Sequence, residues 1–174
     1  MHGSLKALHA RDVDLVIGER YPDSSLAELG QGIDLEVMFE DPMVLLLPAE
    51  RPMSIEPADL SGLAESPWVM DPPGVMAGRW QRAYCRSHGF DPIVLVETPD
   101  PFLQSHLVGA GHAVGLLYSL LATPLLGKVK VLPLPGRPHR TLFTAVHKAR
   151  RNHPALRAVR QALADAAHDE APLS

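Results

Sequence analysis

The sequence predicts an α/β fold with a parallel sheet, as one domain or two small lobes, on three observations. From Trp68 to Leu117, short apolar runs alternate with helix-forming stretches in the order strand, helix, strand, helix, strand. That is the pattern of a parallel sheet under covering helices. The apolar runs are short and continuous rather than alternating, as expected of strands buried on both faces. Finally, 174 residues amount to about one domain, or two small lobes sharing a chain, and 46% hydrophobic content with few aromatics requires an aliphatic core of Leu, Val and Ala.

In chain order, Leu5 and Leu8 look like the closing turn of a helix. Val13 to Ile17 is a β-branched run expected as a buried parallel strand. Such a strand needs partners on its flanks, and only a few residues precede it, so the chain is expected to start inside a fold. Pro22 to Gln31 reads as a polar loop or single turn. Leu35–Phe39 and Met43–Leu47 are expected as two strands separated by Glu40-Asp41-Pro42, and Ser54–Ala64 as a short helix or turn.

Trp68–Met70 is the next strand, broken by Asp71-Pro-Pro-Gly74. A helix follows from about Met76 to His88, with Met76, Trp80, Ala83 and Tyr84 as its apolar stripe and Gly89 as its terminating glycine. Ile93–Glu97 is a strand. Asp100 suits an N-cap and Pro101 the first helical position. Leu103, Leu107 and Ala110 give that short helix an apolar face, Gly109 and Gly111 stop it, and Ala113–Leu117 is a buried strand. The string GAGHAVG is no dinucleotide loop. Its glycines follow a helix and precede a strand, the reverse of the order that aims helix amides at a phosphate. Leu120–Leu126 is expected as a short helix. Val129–Leu132 and Leu142–Val146 are strands joined through Pro135-Gly-Arg-Pro138. Asn152 caps a last helix with Leu156, Val159, Leu163 and Ala166 on its buried face, and residues 169–174 form a frayed tail.

Four stretches in order carry a family resemblance. They are Arg11-Asp-Val-Asp-Leu-Val-Ile-Gly18; Val44 to Met53, VLLLPAERPM, with Arg51 where His is usual; Asp59-Leu60 with Ser66-Pro-Trp-Val69; and the capped helix ending LVGAG before Gly115-Leu-Leu. Together they resemble the effector-binding domain of LysR-type transcriptional regulators, from about Leu5 to Ala167. The resemblance implies a periplasmic-binding-protein-like (type II) two-lobe fold. Residues 1–43 plus 141–174 would form a partial lobe I and 44–140 lobe II, with a hinge near 42–45 and 136–141. It implies a small-molecule effector in the cleft, a homodimer or tetramer, and DNA binding only through a winged helix-turn-helix not found in these residues. The family's effector site is usually closed by a Ser or Thr at the start of the first lobe I helix. That segment is also missing, so the chain is expected to be N-terminally truncated, with lobe I incomplete.

Charge is asymmetric. Residues 1–100 hold 17 of the 20 acids, whereas 101–164 hold none and carry nine Lys and Arg. Two complementary surfaces that meet on folding explain this more simply than a nucleic-acid face. Cys85 is the only cysteine, so no disulfide can form within the chain. No apolar run approaches a membrane span, and the start has no leader-like segment. A cytoplasmic protein is the expectation.

Candidate ligand residues lie where strands end and helices begin, since helix N-termini there offer free N–H groups and partial positive charge. They are Gly18 and Glu19, then Asp71 and Gly74, then Pro99, Asp100 and Phe102. The resemblance adds Phe143 to the same region. Asp100 is either a ligand contact or only a cap, and Phe102 either a wall for an apolar or aromatic ligand or only core; the expected effector is a carboxylate or aromatic metabolite. Arg79, Arg82 and Arg86, at i, i+3 and i+7, suit a phosphate, an exposed face or, by the resemblance, a dimer contact. The nine histidines show no metal spacing, and no cofactor motif is present. A Cys85–His88 pair lacks a third residue to orient the base, so no catalytic group is assigned. The alternatives to a sensor are a small-molecule enzyme or carrier, for which Glu19 and Asp100 are the evident carboxylates, and an oligomerisation remnant.

Overall fold

In the computed structural model, which describes residues 2–22, 32–50, 60–122 and 128–169, the elements run as follows. Helix α1 (His2–Ala10) leads to strand β1 (Leu15–Arg20) and the long strand β2 (Ile33–Pro48). A 3-10 turn (Ser61–Leu63) precedes β3 (Pro67–Met70), α2 (Met76–Ser87), β4 (Ile93–Glu97), α3 (Pro101–Gly109), β5 (Val114–Tyr118) and α4 (Ser119–Ala122). Strands β6 (Val129–Pro133) and β7 (His139–His147), a 3-10 turn (Lys148–Arg150) and α5 (Pro154–Asp169) complete the chain. The expected loop up to Gln31, the Ser54–Ala64 segment before Leu60, the Leu120–Leu126 helix beyond Ala122 and the tail after Asp169 lie outside the described residues. Among those described, no helix is long and apolar enough to cross a membrane.

The chain divides into two units: Met1–Asp41 with Arg140–Ser174, and Pro42–His139. In the first, β7 lies between β1 and β2. Leu5 and Leu8 of α1 pack with Val16, Phe143 and Ala145, and with the partly buried Ile33 and Leu35. Gly18 pairs with Phe143 across the antiparallel ladder. A Cβ on Gly18 would come within 2.5 Å of the Phe143 ring, so only glycine lets the ring lie across β1.

Three expectations change here. The Val13–Ile17 run is neither parallel nor buried: β1 pairs antiparallel with β7, Val16 alone is buried, and Ile17 is 55% exposed. Successive side chains take opposite faces, and α1 covers only the face of Val16. Glu40-Asp41-Pro42 does not separate two strands, because β2 runs through it. The Asp41 carboxylate, fully buried, is neutralised by Arg140, whose Nε and Nη2 donate to Oδ2 at 2.9 and 2.8 Å. On α5, Leu156 is buried but Val159 is exposed, and Arg160 takes the inward position. Its Nη1 donates to Asp34 and Glu36 at 2.7 Å each, and its Nη2 to the Asp34 and Thr144 carbonyls.

In the second unit the strand order is β2-β5-β3-β4, with β6 also on β2. β3 is parallel to β4 and β5, as the alternation of elements implies, while β2 is antiparallel to β5 and β6. All five residues of β5 are buried. Each fully buried aliphatic side chain is worth about 1.5–3 kcal/mol, and Leu45, Leu46, Met70, Leu116 and Leu117 all qualify. Trp68 satisfies its indole by donating Nε1–H to the Leu63 carbonyl at 3.3 Å.

Two helices of this unit, α2 and α3, bury faces that differ in part from those the spacing predicts. On α2, Ala83 is exposed, while Ala77, Gly78, Trp80, Gln81 and Cys85 are buried. On α3, Leu103 and Ala110 are exposed and Leu107 is half-buried, while Gln104, Ser105 and Val108 face inward. In each case a buried glutamine takes the inward position and hydrogen-bonds to groups on other elements.

Candidate functional site

The carboxyl end of β3 carries the most connected polar cluster of the second unit. Asp71 is buried where the strand ends. Its N–H donates to Gln81 Oε1 at 2.8 Å, and its Oδ2 accepts from Gln81 Nε2 at 2.9 Å and Gln104 Nε2 at 3.3 Å. Gln81 Nε2 also reaches the Leu116 carbonyl of β5, and Gln104 Nε2 the Thr98 carbonyl after β4. One carboxylate thus links α2, α3 and the ends of three parallel strands. Arg82 reinforces it, donating to the Asp71 carbonyl at 2.8 Å and pairing with Glu97 at 2.6 Å. Gly78 makes the approach feasible: a Cβ there would lie 2.2 Å from the Pro72 carbonyl oxygen.

The two helix starts beside this cluster differ. On α3, Asp100 Oδ1 accepts from the N–H groups of Phe102 (2.9 Å) and Leu103 (3.4 Å), and Thr98 Oγ1 accepts from Asp100 N–H. Asp100 is therefore the cap. Phe102 is not core, since it is 67% exposed. On α2, the N-cap is Val75, no side chain caps the helix, and no acid occupies its first turn. Gly74, just before it, faces open space. Pro99 is exposed on the surface of the turn leading to Asp100.

Gly18, Glu19 and Phe143 lie together in the first unit. Phe143 is 1% exposed and packs in its core. Glu19 pairs with Arg140 at 2.8 Å, joining the Asp41 cluster, and Arg20 donates to Thr141 Oγ1 at 3.1 Å.

Each arginine of the α2 stripe has an acceptor in its own unit. Arg79 donates to the Gly74 carbonyl, Arg82 is held as described, and Arg86 pairs with Asp91. Cys85 is fully buried, and burial, partly offset by the charges of Arg82 and Arg86, pushes its thiol up to about 12. His88 points its Nδ1 at the Tyr84 carbonyl (2.8 Å), so no activated thiol–imidazole pair is assembled. Burial also raises the Tyr84 hydroxyl, which donates to the Pro135 carbonyl at 2.7 Å. Among the described residues, no group of three or more His, Cys, Asp or Glu could hold a metal ion.

Sequence reasoning missed Gln81, Gln104 and Arg140. The glutamines fall on the helix faces that turn out to be buried, and an uncharged polar residue among apolar neighbours was the available signal. Nothing local marks Arg140, whose partner Asp41 is 99 positions away.

Comparison with known proteins completes the picture. No curated protein matches the chain. Among solved structures, a probable transcriptional regulator from Pseudomonas aeruginosa is 21% identical, with a TM-score of 0.71 over 91% of this chain and 51% of its own. The chain thus spans about half the length of that relative. The regulatory domain of MetR, a LysR family regulator from N. meningitidis, is 16% identical, with a TM-score of 0.77 over 97% and 76%. The BenM effector-binding domain with its effector benzoate is also 16% identical, with a TM-score of 0.74 over 100% and 78%. At such identities the likeness establishes the fold, a mixed α/β architecture of the periplasmic-binding-protein-like type II class. The model of the LysR substrate binding domain family matches residues 1–168, and the chain belongs to that family.

Proposed function

We propose that this chain is the ligand-sensing part of a transcriptional regulator, and that its effector is a small carboxylate, with an aromatic acid the favoured class. Asp71 and Gln104 hold the starts of α2 and α3 at one end of the same sheet. The observation that carries the reading is the uncapped α2. Its first N–H groups lack a side-chain acceptor, beside open space at Gly74. A carboxylate there completes the cap and meets the positive end of the helix dipole, worth about 0.3–1 kcal/mol at an exposed site. Pro99, exposed in the turn before α3, is the apolar neighbour assigned to this ligand. The benzoate of BenM belongs to the same chemical class. Binding shifts the population of an assembled dimer or tetramer, for which the face of α2 bearing Arg79 and Arg86 is the proposed contact, Arg82 being committed within its own unit. DNA contact falls to a winged helix-turn-helix, and the site of action is the cytoplasm.

The test is a thermal-shift series with benzoate, salicylate and aliphatic acids on the parent and on Val75→Asp. An aspartate at this exposed N-cap supplies the missing acceptor. It should stabilise the free protein by about 1 kcal/mol while abolishing the ligand-induced rise. The parent should gain about 2.7 kcal/mol at a hundredfold excess over Kd. A flat parent response to every acid, or an undiminished rise in Val75→Asp, refutes the proposal.

A further inference from the structure

A hollow of about 320 Å³ runs along α3 beside the start of β6, away from the start of α2. We infer that this hollow is a second small-molecule site, for a carboxylic acid with an apolar body. Its volume is at the small end of ligand pockets, about 300–1,000 Å³. Phe102 forms one rim, and Ala110 and Val129 add apolar wall. Gly109 sets its width. A Cβ there would touch Lys128 Cβ at 3.3 Å and Val129 Cγ1 at 3.6 Å, so the glycine draws helix and strand together.

The polar side chains lining the hollow are nitrogen bases and one hydroxyl. His106 and Lys128 both line it and both are exposed, and among the described residues no acid does. Neither makes a side-chain ion pair among the described residues. Glu50 lies in an adjoining hollow with Pro48 and Gly111, with Lys128 common to both, so the preference for an anion belongs to the Phe102–Val129 side. Ser105 is the independent sign. It lines the hollow, is only 6% exposed, and its Oγ is the one buried hydroxyl among the described residues without a hydrogen-bond partner. Leaving such a group unpaired is unfavourable. Rotation of Ser105 about χ1 between staggered wells turns the hydroxyl toward a ligand oxygen. The carboxylate then lies against Lys128 and His106, accepts from Ser105, and directs its apolar body along Val129 toward Phe102.

The experiment is an NMR titration of the whole chain with hexanoate and with benzoate, and with hexanol and benzyl alcohol as uncharged counterparts. The acids should shift the amides of His106, Gly109 and Val129 saturably, and the alcohols should not. Lys128→Glu, an exposed substitution, should weaken the acids about tenfold at these amides. Ala110→Leu, which fills the hollow, should abolish the shifts. Absence of shifts there, equal binding of the alcohols, or indifference to both substitutions overturns the inference. The outcome is separable from that of the proposed effector site. Shifts confined to Gly74–Ala77 and Pro99–Asp100 support that site and overturn this one, and the converse pattern does the reverse.

Discussion

Replacing Gly78 with alanine sets two physical effects against each other. In an exposed helix the change stabilises, because alanine outranks glycine in helix propensity by about 1 kcal/mol. In α2 the new Cβ would sit 2.2 Å from the Pro72 carbonyl oxygen, 2.4 Å from that of Asp71 and 2.7 Å from the Pro72 carbonyl carbon. All three are backbone atoms and cannot swing aside. To reach even a 3.0 Å contact, the helix must retreat by roughly 0.8 Å. That movement lengthens the Asp71–Gln81 and Arg82–Asp71 hydrogen bonds, both 2.8 Å. Overpacking costs about 1–3 kcal/mol, and each weakened hydrogen bond up to about 1 kcal/mol. After the propensity gain the expected net loss is about 2–3 kcal/mol. For a chain of this size that lowers Tm by about 4–12 °C. The control is Gly62→Ala, in the 3-10 turn before β3, where a Cβ meets nothing within 4 Å. It should be neutral or stabilise by up to about 1 kcal/mol. Urea and thermal denaturation measure both. A Gly78→Ala protein as stable as the parent would show that α2 is not pressed against the Asp71-Pro72 backbone, and the account of the polar cluster would fail with it.

Other substitutions test the ion pairs and the thiol. Arg140→Ala removes the guanidinium from a fully buried Asp41 carboxylate and should cost about 3–5 kcal/mol in urea denaturation; Arg140→Lys should recover only part, since one ammonium cannot reproduce the Nε and Nη2 bonds to the same oxygen. Arg160→Met keeps the packing of α5 but loses donors to Asp34, Glu36 and two carbonyls, and should cost about 1–3 kcal/mol, with hydrogen-exchange protection of α5 falling first. The Cys85 thiol, raised from 9.0 to about 12 in the folded protein, contributes stability that is complete below about pH 9 and is lost as pH rises toward about 12. By pH 10 the accumulated loss is about 1.4 kcal/mol, and Cys85→Ala should flatten that slope while lowering stability at neutral pH. An equal alkaline slope in both proteins would contradict the burial of the thiol.

Much of the architecture is legible in the sequence because its causes are local. Asp100-Pro101 starts a helix wherever it stands, Gly89 and Gly111 take the positive φ their turns require, and the Trp68–Leu117 alternation specifies parallel pairing of β3 with β4 and β5. The positions of the candidate residues are legible in the same way: strand ends and helix starts put Asp71 after β3, Gly74 before α2 and Phe102 in the first turn of α3 without any knowledge of their neighbours.

Which polar side chains turn inward was decided by the tertiary structure alone. Gln81, Gln104, Arg140 and Arg160 are buried against the rule for polar residues, because partners on other elements take most of their hydrogen bonds, leaving only Gln104 Oε1 and Arg160 Nε without one. Arg140 meets Asp41 across 99 positions, and Arg160 meets Asp34 across 126. Burial of a polar group is favourable only when its hydrogen bonds are made. Periodicity records a residue's own chemistry but not the partner that folding brings to it. The same cause moved the inward faces of α2, α3 and α5 and made β2 continuous through Glu40-Asp41-Pro42.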